Sequence, residues 1–351
     1  MDRPIYTIGM TCVGGHYIYD IIRAFRDADD FSVRIVGIDA NPDAFGRLLV
    51  DRFEIVPFAE RSEEEYIARI GEICETHHLD ALIFGSESET RVAARHRASL
   101  ERHGARITTL RNTEVAIMID KLHCFEFLRD HGVDVGPFLA VSSISEVPDA
   151  LAALGYPNVP VVLKPRTSTG SRGILIVDAR EQAFRDLLVE RLCGIGSWDA
   201  IKATIEARGA SVDNYLAMPY YGGQVYDVDC LGKEGEAVLI VPRLRQYQNP
   251  LSPVNEGCQV AMQPAILEFV TALCRAFGVH GACDFDIALD TTGQPRLLDA
   301  SCRMSGSVGA AYAAGANIPA QLVRVLLTLP LRQYTPRDGA VIRPVHHLIA
   351  V

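Results

Sequence analysis

The order of short apolar runs and amphipathic segments near the N-terminus constrains this chain more than any other feature. PIYTIGMTCVGG is an apolar run ending in a glycine-bearing turn, and HYIYDIIRAFRDA then sets Ile18, Ile21, Ile22 and Phe25 on one helical face. SVRIVGIDANP is a second apolar run, closed by an acid and a turn. Strand, helix and strand in that order make a βαβ unit, whose parallel strands need helices on both faces. EEEYIARIGEICETHHLDALIFG repeats the pattern, an amphipathic helix running into the strand ALIFG. The chain therefore reads as the start of a doubly wound α/β sheet.

In one reading of GMTCVGG, a dinucleotide pyrophosphate rests in the turn and Asp39 takes a ribose hydroxyl. The G-x-G-x-x-G spacing is missing, so a structural turn is preferred. His77 and His78 close a helix, where positive charge suits the dipole, and read as caps rather than ligands.

Bulk properties narrow the function. With 351 residues there is length for two or three units. Asp and Glu number 44 against 34 Lys and Arg, a net charge of −10 that argues against a broad nucleic-acid surface. The nine cysteines show neither a C-x-x-C pair nor zinc spacing. Cys124, Cys193, Cys230, Cys274 and Cys283 sit in apolar or helical surroundings and read as buried thiols of a reducing compartment. MDRPIYTIGM lacks an apolar leader core, and no run reaches the roughly 18 apolar residues of a membrane span. The expectation is a cytoplasmic protein without nucleic-acid or membrane partners.

VPVVLKPRTSTGSRGILIV (159–177) is the strongest local signal. An apolar strand delivers Lys164, a polar stretch from Arg166 to Arg172 follows, and Gly173 leads into another strand. Such a hairpin can fold over phosphates, its glycines admitting backbone N–H groups and its lysine supplying a point charge. An exposed hairpin with solvated basic residues is the alternative. The order is not that of a Walker A loop. Upstream, IMIDKLHCFEFLRDHGVDVGPF opens an amphipathic helix on Lys121, against the helix dipole, a local conflict that favours a ligand role. Downstream, ACDFDIALD and PRLLDAS flank TTGQ and pair as an antiparallel hairpin, bringing Asp286 and Asp299 to one edge.

DKLHCFEFLRDHGV, VLKPRTSTGSRGI and FDIALDTTGQPRLLDASCRMSGS, in that order after a Rossmann-like domain, resemble the ATP-grasp superfamily, and within it the proteins related to the carbamoyl-phosphate synthase large subunit. The likeness runs from ANPDAFGRLLVDRFEIVPF to AAGANIPAQLVRVLL. It implies a Rossmann-like pre-ATP-grasp domain over 1–117, followed by a two-part α+β ATP-grasp domain. The parts are a small lid subdomain with the phosphate loop (118–215) and a C-terminal subdomain with the metal and substrate site (216–351). Lys121 and Lys164 fall on the phosphate-contacting lysines, and Ser168, Thr169, Gly170, Ser171 and Gly173 on the phosphate loop. Asp286, Asp299 and Ser301 fall on magnesium ligands. Two acids facing phosphates repel unless cations lie between them, and magnesium takes oxygen ligands. Arg303 then meets the transferred phosphate or a substrate carboxylate, and Arg243 matches a family arginine.

The sequence departs from the family at several places. Its usual Glu-x-Asn-Pro-Arg reads Asp299-Ala300-Ser301-Cys302-Arg303, and its first metal position, usually Glu or Gln, is Asp286. Pro219 and Val225 stand where ribose-side glutamates are common. Met218 and Tyr220 remain to sandwich an adenine, and Asp284, Asp227 or Asp229 to reach the metals. In VLIVPRLRQYQNPLSPVNEG, Arg243 and Arg245 alternate onto one side of a strand. For Arg245 a solvated edge is an equal reading, and NPLSPVNEG reads as a mobile loop over the substrate. GSWDAIKATIEARGA reads as an amphipathic helix, a lid elaboration or a dimer contact, and His346 and His347 as structural.

The leading expectation is an ATP- and Mg2+-dependent carboxylate–amine ligase working through an acyl phosphate on small-molecule carboxylate and amine substrates. Lys164, Arg243 and Arg303 carry the chemistry. A degenerate relative that binds nucleotide or another ligand without turnover is the alternative. Carbamoyl-phosphate chemistry ranks low because a single ATP-grasp unit is present, and an NAD-dependent oxidoreductase ranks lower. Family habit suggests a homodimer, which the sequence leaves open.

Overall fold

The computed structural model describes residues 3–15, 18–107, 110–167, 173–188, 192–245 and 257–345. The βαβ repeats close into one five-stranded parallel sheet in the order Arg52–Ile55, Ser32–Asp39, Ile5–Thr11, Ala81–Ile83, Arg106–Ile107. One face buries Ile8 and Met10 against Ile18, Ile22 and Phe25 of helix Ile18–Arg26. The other buries Val36, Ile38 and Leu82 against Tyr66, Ile70 and Ile73 of helix Glu63–His77. The order reverses between Ile5–Thr11 and Ala81–Ile83, so a crevice opens past their C-terminal ends.

The second sheet runs Leu139–Val141, Tyr215–Pro219, Val161–Pro165, Leu175–Val177, Cys193–Gly196, Arg185–Leu188. Helices Val147–Ala153 and Trp198–Ala207 cover one of its faces, the latter capped by Ser197 Oγ, which accepts from the Ala200 amide. The third sheet is antiparallel, in the order Pro295–Ser301, Gly281–Leu289, Val225–Lys233, Glu236–Arg245, Cys258–Val260, Val341–Ile342.

Alternation gives that third sheet two unlike faces. Tyr226, Val228, Cys230, Cys283, Phe285 and Ile287 point to a core closed by helices Lys121–Asp130 and Pro264–Phe277. The opposite face carries the acids and arginines, then turns apolar at Leu231, Leu239 and Val241, where the N-terminal domain and helix Ile318–Leu326 pack on it. Arg324 of that helix is 0 % exposed and its Nη2 donates to Asp30 at 2.6 Å. The N-terminal sheet is thus docked against the sheet that bears the charges. No helix among the described residues is long and apolar enough to cross a membrane.

Candidate active site

Strand register sets the charged face of the third sheet. Asp286 lies opposite Asp299 on one side and opposite Asp227 on the other, and Asp227 lies opposite Arg243. Two residues along the strands, Asp284 lies opposite Ser301 and Asp229. The expected hairpin is present, its turn held by Asp290, which accepts from the Thr292 and Gln294 amides. Like charges directly opposite one another are unfavourable, and the fold offsets them with cations. Arg245 Nη2 lies 2.5 Å from Asp227 Oδ1 and 2.9 Å from Asp286 Oδ2. Arg243 Nε lies 2.8 Å from Asp229 Oδ2, and its Nη2 donates to Ser305 Oγ at 3.4 Å. Arg245 is therefore an inner-face residue with 8 % of its side chain exposed, and the solvated-edge reading fails.

Crowding shows in the acids' titration. Burial, then Asp227 and Asp299, push Asp286 up to about 6 against the pull of Arg245. Asp284 rises well above the carboxylate range through burial and then Asp229 and Asp286. Asp227 and Asp229 are each paired with an arginine, as Asp286 is with Arg245.

Two lysines close on the same spot. Asp120 caps helix Lys121–Asp130 by accepting from the Leu122 and His123 amides, and also receives Arg166 in a two-point clamp at 3.0 and 2.7 Å. Lys121 Nζ lies 3.2 Å from Asp299 Oδ1. Its ammonium is held against the burial penalty by Asp299 and Glu87, which also resolves the conflict with the helix dipole. Lys164, on strand Val161–Pro165, donates to the Leu298 carbonyl and stands 5.4 Å from the Phe125 ring centre. Burial lowers it to about 8 despite Asp299 and Asp286.

Sequence reasoning missed Glu87. It opens helix Glu87–Arg95 directly after strand Ala81–Ile83, at the switch-point crevice. Burial and then Asp299 raise its pKa, while Arg303, Ser301 and Lys121 pull it down. The N-terminal domain thus contributes a carboxylate to a site otherwise built from the C-terminal part. Its signal was the acid in FGSESET just past a parallel strand, a pattern that an ordinary helix start shares.

The other expected residues fall as follows. Met218 is buried in strand Tyr215–Pro219, on the sheet face that Lys164 shares through its Leu216 partner, and Tyr220 is half-buried next to it. Gly173 has φ +75 and lies against Pro165 and the Tyr215 hydroxyl, a conformation and a space that favour glycine. Ser168, Thr169, Gly170 and Ser171 lie outside the described residues, as do most of the NPLSPVNEG loop and His346 and His347. Arg303 Nη1 donates to the Met304 carbonyl at 3.1 Å. Asp39 is spent on structure, one oxygen accepting from the Gly14 amide at 2.8 Å and the other from Asn41 at 2.9 Å. That bracing fits the structural-turn reading of the glycine segment. His78 is the left-handed cap of helix Glu63–His77, and His77 Nε2 bonds Glu54 at 2.7 Å.

Residues 211–348 match a family described as ATP-grasp in the biosynthetic pathway with Ter operon. A comparison with curated protein sequences finds no match. Among solved structures, the fold is similar to L-amino acid ligase from Bacillus licheniformis, with a TM-score of 0.64 at 15% identity over 93% of this chain and 75% of that one. It is similar to N5-carboxyaminoimidazole synthetase from Staphylococcus aureus complexed with ADP, with a TM-score of 0.70 at 14% identity over 97% and 82%. It is also similar to the biotin carboxylase domain dimer of Hydrogenobacter thermophilus 2-oxoglutarate carboxylase, in complex with MgADP, ADP and bicarbonate (TM-score 0.67, 16% identity, 95% and 72%). At these identities the likeness establishes the fold, a Rossmann-like domain followed by a two-part α+β ATP-grasp domain. The sequence match lies in the C-terminal part, residues 211–348, of that fold.

Proposed function

We propose that this protein is an ATP-dependent ligase that joins a carboxylate to an amine through an acyl phosphate, acting on a small amino-acid-like or simple carboxylate substrate. One observation carries the reading. Asp286 and Asp299 face each other across a strand pair while the ammoniums of Lys121 and Lys164 come to the same place. Lys121 and Lys164 hold phosphates, and Met218 and Tyr220 flank the adenine.

The donor set suits magnesium. It comprises two carboxylates and the buried Ser301 hydroxyl, which has no hydrogen-bond partner among the described residues. Asp286, Asp299 and Ser301 would hold the ion, which would supply neutralisation of phosphate charge there. Among the described residues no three His, Cys, Asp or Glu form a complete metal centre, leaving the other ligand positions to phosphate and water. Arg303 and Arg243 steady the negative charge that develops on the substrate. This chemistry needs positioning and charge neutralisation more than proton transfer.

Arg245 favours a second reading. Its guanidinium already lies 2.9 Å from Asp286, a fixed cation beside a proposed metal ligand, as in a nucleotide binder without turnover. An ADP-release assay over paired carboxylates and amines separates the two. Release that requires both partners supports the ligase. MgATP binding without release for any pair supports the binder.

A further inference from the structure

A cleft of about 640 Å³ lies far from the phosphate site. Arg3 leads into strand Ile5–Thr11, and Arg26, Asp27 and Asp29 lead into Ser32–Asp39, so this wall stands at the N-terminal end of the parallel sheet. Glu87 and the switch-point crevice stand at the other end, a strand length of about 20 Å away. Tyr312, Asn317 and Tyr334, from segments on either side of helix Ile318–Leu326, form the opposite wall. The cleft therefore lies on the seam where the N-terminal domain meets the C-terminal part. A space of this size suits a small organic molecule.

Most of its polar groups are already engaged. Asp27 accepts from the Tyr312 hydroxyl and pairs with Arg23 at 3.7 Å. Asp29 faces Arg324 at 3.2 Å and Arg332 at 3.6 Å. Asn317 donates to the Ala24 carbonyl at 2.7 Å and accepts from the Ala320 amide at 2.9 Å, and the Tyr334 hydroxyl accepts from Arg324 at 3.2 Å. Two arginines are held more lightly. Arg3 Nη1 donates to the Ala28 carbonyl at 3.3 Å, and Arg26 Nη2 lies 3.5 Å from Asp51 in an exposed pair, a contact worth little. Each guanidinium carries several further N–H donors. The cleft thus offers a ligand guanidinium donors on one wall and tyrosine ring surface on the other.

We propose that this cleft binds a small aromatic anion, a ring carrying a carboxylate or a phosphate ester, at a site separate from the nucleotide. Arg3 and Arg26 take the anionic group, whose oxygens match the planar guanidinium fork, and Tyr312 and Tyr334 take the ring. The proposal does not depend on the ligase reading.

The test is ligand-observed proton and phosphorus NMR on the full-length protein, alone and with excess MgATP. The probes are benzoate, phenyl phosphate, neutral benzamide and inorganic phosphate. The expected result is that benzoate or phenyl phosphate binds, that benzamide and inorganic phosphate bind at least about tenfold more weakly, and that MgATP does not displace the bound probe. Whichever of the two aromatic anions binds more tightly identifies the anionic group. Arg3→Met combined with Arg26→Met should weaken that probe about tenfold or more and leave ATP binding unchanged. Neither aromatic anion binding, or benzamide or inorganic phosphate binding equally well, would overturn the proposal. So would displacement by MgATP, which would put the probe in the nucleotide site, or a double variant within about twofold of wild type. The wild-type comparisons need no variant and stand if the double variant fails to fold.

Discussion

Lys164→Met should separate binding from stability. Lys164 is 5 % exposed, and burial pushes its ammonium from 10.5 down to about 8 even with Asp299 and Asp286 in reach. Holding that charge in place at neutral pH costs about 3 kcal/mol. Methionine fills a similar volume without the charge, but leaves the Leu298 carbonyl without its donor, a loss of roughly 1–3 kcal/mol. The two effects offset, so the variant should match wild type in stability or exceed it by up to about 2 kcal/mol. ATP affinity should fall roughly ten- to a hundredfold, the worth of a charge-assisted contact in a dry site. Thermal melting and ATP calorimetry in one buffer read both quantities. A melting point lowered by more than about 5 °C with ATP affinity retained would refute the reasoning, because the ammonium would then be a structural asset.

Three further outcomes follow from the same geometry. Asp299→Asn, isosteric but uncharged, should abolish the magnesium dependence of ATP binding in calorimetry while binding in chelator persists, and retained magnesium dependence would move the metal elsewhere. Lys164 loses its proton near pH 8 in the free protein, and phosphate oxygens raise that value in the complex. The complex therefore binds more protons than the free protein above pH 8, and ATP affinity should fall by up to about tenfold per pH unit there with proton uptake; calorimetry at pH 8.5 in two buffers of different ionisation enthalpy checks this. Arg324→Met removes the Nη2 bond to Asp30 and the Nη1 bond to the Tyr334 hydroxyl at 3.2 Å, and should cost roughly 2–4 kcal/mol in urea unfolding without changing ATP affinity.

Local periodicity made much of the fold legible. Ile18, Ile21, Ile22 and Phe25 announced a helix on one face of a parallel sheet, and TTGQ between two apolar runs announced the hairpin that aligns Asp286 with Asp299. Alternation along VLIVPRLRQ put Arg243 and Arg245 on one face, and only the neighbouring strand's Asp227 and Asp286 could show that Arg245 faces inward. Glu87 was illegible because Asp299, Ser301 and Arg303 lie more than two hundred residues away, joined to it by domain docking rather than by local pattern. The same holds for Arg324 and Asp30, whose pairing depends on how the last long helix meets the N-terminal domain. Asp39 looked like a ribose ligand by position, yet its turn needed both oxygens.

Calorimetric titration of ATP into the protein, first with magnesium and then with chelator, tests the central claim most directly. Asp286 and Asp299 facing each other under Lys121 and Lys164 predict binding that is strong with magnesium and much weaker without it. Binding that ignores magnesium would contradict the metal assignment, and no binding under either condition would contradict the nucleotide site itself.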